Sequence, residues 1–139
     1  MDPLLSASQT AASALKAQSM RLRVISENLA NAESTGITPG ADPYRRKLVT
    51  FEAELDHIDG APSVRVGKII RDDKPFRLDF RPGHPAANAE GYVKLPNVNT
   101  IVEMADLREA GRSYEANLQV IRQAREMVSM TIDLLRSQP

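Results

Sequence analysis

The sequence predicts an α+β chain: long N- and C-terminal helices paired antiparallel in a coiled-coil-like arrangement, with a small β-rich insert between them. Three observations carry this. Seven of the nine prolines fall between Pro39 and Pro96, and six of the seven glycines between Gly36 and Gly91, so helix breakers crowd the middle. Both flanks, free of proline from residue 4 to 35 and from 97 to 138, repeat apolar residues at three- and four-residue intervals. In the middle the apolar residues alternate with polar ones instead. The expected units are an axial helix within residues 1–35, an insert over 36–96 and a second axial helix within 97–139, the two helices forming one structural unit.

The first helix has start and stop signals. Asp2 suits an N-cap and Pro3 the first helical position, where its missing N–H costs nothing. Leu4, Ala11, Ile25 and Ala32 share one heptad position, and Leu15, Leu22 and Leu29 share its partner. Ser8 and Gln18 interrupt this stripe. The helix should end near Asn31, before Ser34-Thr35-Gly36, where turn-tolerant residues gather.

The last helix is expected just past Pro96, with Thr100 and Glu103 at capping-box spacing. Leu107, Tyr114, Ile121, Val128 and Leu135 recur every seven residues, and Met104, Leu118 and Ile132 hold the companion position, which Gly111 and Arg125 interrupt. A second apolar row, Val120, Ala124, Met127 and Leu134, lies about 100° round the helix. One partner helix covers one stripe and not both, so this helix calls for neighbours beyond its own chain. Met104, Met127 and Met130 read as fillers of gaps between helices.

In the insert, Val49, Phe51, Ala53 and Leu55 alternate with polar residues, as do Phe76, Leu78 and Phe80. Val64–Ile70 and Tyr92–Leu95 are weaker strand candidates. Period-2 patterning predicts strands with one covered face, joined by turn chemistry at Arg81-Pro82-Gly83-His84-Pro85.

Composition narrows the chemistry. The 139 residues carry 18 basic and 18 acidic side chains, no cysteine, no tryptophan and six other aromatic rings. Balanced charge argues against a polyanion binder, and zero cysteines exclude disulfides, thiolate catalysis and Cys-based zinc sites. So few rings imply a core of aliphatic side chains and alanine. No apolar run approaches the roughly 20 residues that span a bilayer. His57 and His84 stand far apart in loops and read as exposed residues rather than metal ligands. Glu52, Glu54, Asp56, Asp59 and the pair Asp72-Asp73 read as solvated carboxylates without calcium-loop spacing. Arg45-Arg46-Lys47, the one compact basic cluster, has acidic neighbours in Glu52, Glu54 and Asp56 and no stacking platform for nucleic acid. With no phosphate loop, nucleophile elbow or zinc-protease motif, the chain reads as a non-enzyme with no catalytic, cofactor or metal site.

The stretch from Arg23 to Ala32, centred on Asn28-Leu29-Ala30-Asn31 and followed by Thr35-Gly36, resembles the N-terminal signature of bacterial flagellar rod and hook axial proteins. Pro43-Tyr44-Arg45-Arg46-Lys47, Gly83-His84-Pro85 through Gly91-Tyr92-Val93-Lys94, Pro96-Asn97-Val98-Asn99 and Arg112-Ser113-Tyr114-Glu115-Ala116-Asn117 continue the likeness in order, and narrow it to a proximal-rod subunit. Residues 33–38 follow the family's loop only loosely, and residues 136–139 depart from its usual end.

The resemblance implies a structural, torque-transmitting subunit, exported without a cleaved signal peptide by the flagellar type III apparatus and assembled in the periplasm. It implies partners in further copies of itself and in FlgB, FlgF and FliE, with no nucleic acid and no membrane insertion. Assembly contacts are expected from Leu15, Leu22, Ile25 and Leu29 on the first helix and from Tyr114, Leu118, Ile121, Met127, Val128 and Leu134 on the last. Asn28 and Asn31 read either as amides fixing the helix end against neighbours or as a local C-cap. Rival readings are another axial subunit such as FlgB and, from a different class, a soluble helical adaptor that packs a partner helix in a groove.

Overall fold

The computed structural model describes residues 2–55 and 61–138. Helix α1 spans Pro3–Ala30 and helix α2 Thr100–Ser137. Between them lie two antiparallel hairpins, β1 (Lys47–Leu55) with β2 (Pro62–Arg71), and β3 (Arg77–Phe80) with β4 (Tyr92–Leu95). The two weaker strand candidates are thus β2 and β4. A bulge between Val49 and Phe51 shifts the first hairpin's register, which increases its local twist.

Helix α1 begins as expected: the Asp2 carboxylate accepts the Leu4 N–H at 3.0 Å, and Pro3 follows. It ends at Asn31, whose backbone N–H and side-chain amide both donate to the Glu27 carbonyl. The start of α2 corrects the capping-box expectation. Asn99 is the N-cap, its side chain accepting from Ile101 and Val102, and the Glu103 carboxylate turns away from the helix end into the protein. Asparagine is as good a cap as threonine, and placing it one residue earlier frees Glu103 for another role.

The helices run antiparallel. Asn28 meets Glu103 near one end, Arg21 pairs with Glu109 further along, and Leu4 and Leu5 flank Ala124 and Val128 near the other. The α2 seam is rotated from the expected one. Glu103, Ala110 and Ala124 are buried, and Asn117 of the same heptad position is half-buried. They alternate with half-buried Leu107, Tyr114 and Ile121. Met104 and Ile132 of the expected companion row are exposed. Ala124 therefore belongs to the seam and not to the second outward row. Small side chains let the two backbones close, so the larger Met104 turns outward; Met127 and Ile132 lie beyond Ala124, where α1 no longer covers α2, and none of the three fills a gap within the subunit.

The first hairpin covers a second face of α1. Ser13 Oγ accepts the Val64 N–H at 3.1 Å, Thr10 Oγ1 donates to the Pro62 carbonyl at 2.7 Å, and Ala17 and Met20 lie beside Val64 and Val66. Among the described residues the buried apolar set contains nothing larger than isoleucine or leucine, and seven of its twelve members are alanine, in keeping with the scarcity of rings. The strand faces differ from expectation. Val93 and Leu95 of β4 are buried, whereas Leu78 and Phe80 of β3 are exposed, as is Phe51 of β1. Gly91 makes the approach to β4 possible: it has φ +87°, and a Cβ there would stand 2.9 Å from the Phe80 ring.

Candidate assembly interface

A buried polar cluster fixes how the helices present themselves. Asn28, on the last turn of α1, is 1% exposed, and its amide is fully engaged. Nδ2 donates to the Lys47 carbonyl at 2.9 Å and to Glu103 Oε2 at 3.3 Å; Oδ1 accepts the Tyr44 phenol at 2.7 Å and the Lys47 N–H at 2.9 Å. One side chain thereby ties α1 to the segment entering β1 and to the first turns of α2. This removes Asn28 from the residues a neighbour can touch, and it is not a C-cap; Asn31 fills that role.

Arg46 is the cluster's cation. Its Nε donates to Glu103 Oε1, its Nη1 to Asp72 Oδ2 at 3.2 Å, and its Nη2 lies 3.6 Å from Asp106 Oδ2. Burial works against the guanidinium charge, but the hydrogen bonds and charges of Glu103 and Asp72 outweigh it and hold Arg46 above its ordinary pKa. Burial, with the negative charges of Glu27 and Glu103, pushes the Tyr44 phenol up. Asn97 completes the cluster, accepting the Arg46 N–H at 2.8 Å and donating to the carbonyls of Asp72 and Lys74, each at 3.0 Å. Removing one partner from such a buried pair costs about 3–5 kcal/mol.

Several expectations change here. Asp72 is buried and ion-paired, not a solvated carboxylate. Within the Arg45-Arg46-Lys47 run, Arg46 pairs with Glu103, Asp72 and Asp106 and Lys47 with Glu27, while Glu52 and Glu54 pair across the hairpin with Arg65. Arg45 lies over the Phe76 ring at 4.2 Å. His84 is half-buried: its Nδ1 accepts the Ala86 N–H at 3.0 Å and its Nε2 is 3.3 Å from Thr35 Oγ1. His57, Asp56 and Asp59 lie outside the described residues. Glu103, Arg46, Tyr44, Asp72 and Asn97 were not among the expected site residues. The signal was present in the stretches Pro43–Lys47 and Pro96–Asn99, which carry polar side chains on both sides of the insert.

The outward surface is concentrated on α2. Among the described residues, ten of the eighteen exposed large apolar side chains lie on it, and from Arg125 to Ser137 every residue is exposed. Met127 is 52% exposed, Val128 40% and Leu134 68%, with Met130, Ile132 and Leu135 beside them. Within the described residues α2 projects past the start of α1, so Leu135 has no seam partner there. The other expected contacts divide: Leu15, Leu22, Leu29, Asn31, Tyr114, Leu118 and Ile121 are half-buried along the helix pair, and Ile25 is buried within it.

The sequence that folds into this locked interior and bare helix end is matched by known proteins. The family model described as flagella basal body rod protein matches residues 9–36, and that described as flagellar basal body rod FlgEFG protein C-terminal matches residues 89–134. A relative from Agrobacterium fabrum, named flagellar basal-body rod protein FlgC, is 61% identical over 137 residues, which cover 99% of each chain. The chain belongs to the FlgC family of flagellar basal-body rod proteins. FlgC of Yersinia enterocolitica is 44% identical and FlgC of Salmonella typhimurium 42%, each over 94% of this chain and 97% of its own. The FlgC family is a structural one, and this chain is a structural rod subunit. The two family models fall on α1 and α2, the elements that the Asn28–Glu103–Arg46 cluster holds together.

Proposed function

We propose that the chain builds the proximal rod, in the periplasm, by packing the bare faces of its terminal helices against further copies of itself and against FlgB, FlgF and FliE, after delivery by the flagellar type III export apparatus. The observation that carries this reading is the exposed apolar end of α2 around Met127, Val128 and Leu134. A large contiguous apolar surface on a subunit marks a place where another protein sits. Tyr114, Leu118, Ile121, Leu15, Leu22 and Leu29, half-buried along the helix pair, offer their exposed edges to further neighbours. Ile25 and Asn28 act from inside by fixing the helix pair, and Asn31 by closing α1. The buried cluster couples the pair to the insert, so that load entering one element is carried by the whole subunit.

Met127→Glu tests this. It places an uncompensated carboxylate in each interface, at several kcal/mol per contact. The expected result is a subunit that is made and exported, with basal bodies that stop at the rod and cells that do not swim. The companion change Ile121→Glu strikes the seam with α1 and lowers the stability of the isolated chain, which Met127→Glu leaves unchanged. Normal swimming with Met127→Glu incorporated into basal bodies would refute the assignment. A discrete soluble complex with one partner helix would favour the adaptor reading.

A further inference from the structure

The start of α1 and the covered part of α2 do not close completely. Between Leu4, Leu5 and Ser8 on one side and Ala124 and Val128 on the other lies an open crevice of about 350 Å³. Its cause is in the sequence: Ser8 stands at a seam position otherwise held by Leu15, Leu22 and Leu29, and it falls opposite the small Ala124. Asp2 and Arg125, both exposed, flank the crevice with opposite charges.

The end of α2 has matching chemistry. Leu134 and Leu135, each 68% exposed, are preceded by Asp133 and followed by Arg136. Among the described residues Arg125, Asp133 and Arg136 form no ion pair within the subunit, although other exposed charges do. We infer that the last turns of α2 seat Leu134 and Leu135 in the Leu4–Leu5–Val128 crevice of a second copy of this chain, with Asp133 beside that copy's Arg125 and Arg136 beside its Asp2.

The contact is head-to-tail, since crevice and tail are different surfaces of one subunit, and such contacts propagate along a helical assembly instead of closing as a dimer. Ala124 and Leu134 are ten residues apart on one helix, so with parallel α2 helices the copies are offset by about 15 Å along the axis. The charged pairs set register more than affinity. The inserted surface is well below the roughly 1,000 Å² that a stable complex needs, so the contact forms in the assembled rod and not in dilute solution. This inference rests on the rod-subunit reading above.

Because the chain has no cysteine, a disulfide can be introduced without background. Cells expressing the full chain with both Leu5→Cys and Leu134→Cys are oxidised and their basal bodies purified. The expected result is chain–chain products of dimer size and larger, with none from either single variant. Absence of chain–chain product while the chain is present in basal bodies overturns the inference and leaves the rod reading intact; it is also the result if another rod protein fills the crevice. Products from a single variant, which would mean a two-fold contact, overturn it as well. Absence of even the unmodified chain from basal bodies sinks the rod reading itself. A second arm guards against misassembly of the cysteine variants. Arg125→Asp and Asp133→Arg should each reduce swimming speed several-fold, and the double variant should regain at least half of it. The two residues stand two helical turns apart in one copy, so rescue reports a contact between copies; no rescue overturns the inference.

Discussion

The phenol of Tyr44 donates to Asn28 Oδ1 across 2.7 Å, and this bond joins the segment entering β1 to the last turn of α1. The same oxygen accepts the Lys47 N–H, and the same amide reaches Glu103 on α2. Three parts of the chain thus depend on one neutral side chain, which lies within a flagellar signature stretch.

Asn28→Ala should therefore be among the most damaging neutral changes in the molecule. It leaves the Tyr44 hydroxyl and the Lys47 N–H without their acceptor, and each stranded buried group costs about 1–3 kcal/mol. A loss of about 2–5 kcal/mol is expected in urea unfolding of the purified chain. Asn117→Ala, which removes only a bond to the Ser113 carbonyl of its own helix, should cost about 1 kcal/mol or less. Equal effects at the two positions would refute the clamp role of Asn28.

Asp72 gives the fold a defined response to acid. The Lys74 N–H bonded to its carboxylate, and then the Arg46 guanidinium, hold its pKa below the ordinary carboxylate value. A carboxylate with a depressed folded pKa stabilises the protein above its unfolded value of about 3.9, and that contribution disappears as pH falls through the folded value. Asp72→Asn should thus be less stable than the parent at pH 7, and the gap should close progressively below pH 4. Denaturant midpoints measured from pH 7 to pH 2 check this; a gap that stays constant across the range would show that Asp72 acts by shape alone.

Gln18 predicts the opposite sign. It interrupts the heptad position of Leu4, Ala11, Ile25 and Ala32, and its Oε1 is buried with no hydrogen-bond partner among the described residues. Gln18→Leu restores the apolar stripe and removes a stranded acceptor, so thermal and urea unfolding should show a gain of about 1–2 kcal/mol. A loss of stability would mean that the oxygen has a partner, such as a bound water.

Much of this architecture was legible from periodicity. Both helices, their proline- and glycine-marked limits and all four strands follow from patterns that local sterics impose. The rotated seam of α2 was not, because a hydrophobicity pattern favours Met104, Leu118 and Ile132 over Ala110 and Ala124. Close packing of two helices selects for small size as well as for apolarity, so the alanine row wins and the larger residues face outward. Glu103 was misassigned for a related reason: its spacing from Thr100 satisfies a local rule, yet a buried Arg46 from the far side of the insert claims its carboxylate. The exposed Leu78, Phe80 and Met127 mark where a pattern was read correctly as apolar but no described part of the subunit covers it.

The two helices should differ in how they exchange. Helices that relied on neighbouring subunits for their packing would both fray in the isolated chain. Helix α1, however, has α2 on one face and the first hairpin on another, with buried Ala11, Ala17, Val24 and Ile25 along its length. Helix α2 is covered only as far as Ala124. Beyond it the run to Ser137 is about as short as a helix can be while marginally stable without packing. Amides from Arg125 to Ser137 should therefore exchange fastest within the helices of the dilute chain, α1 and the Glu103–Ile121 part of α2 should be protected, and assembly into rods should protect the remainder. Hydrogen exchange resolved along α2 decides the matter: uniform protection over its whole length in the dilute chain would mean that the end of the helix needs no neighbour, and the assembly surface would have to lie elsewhere.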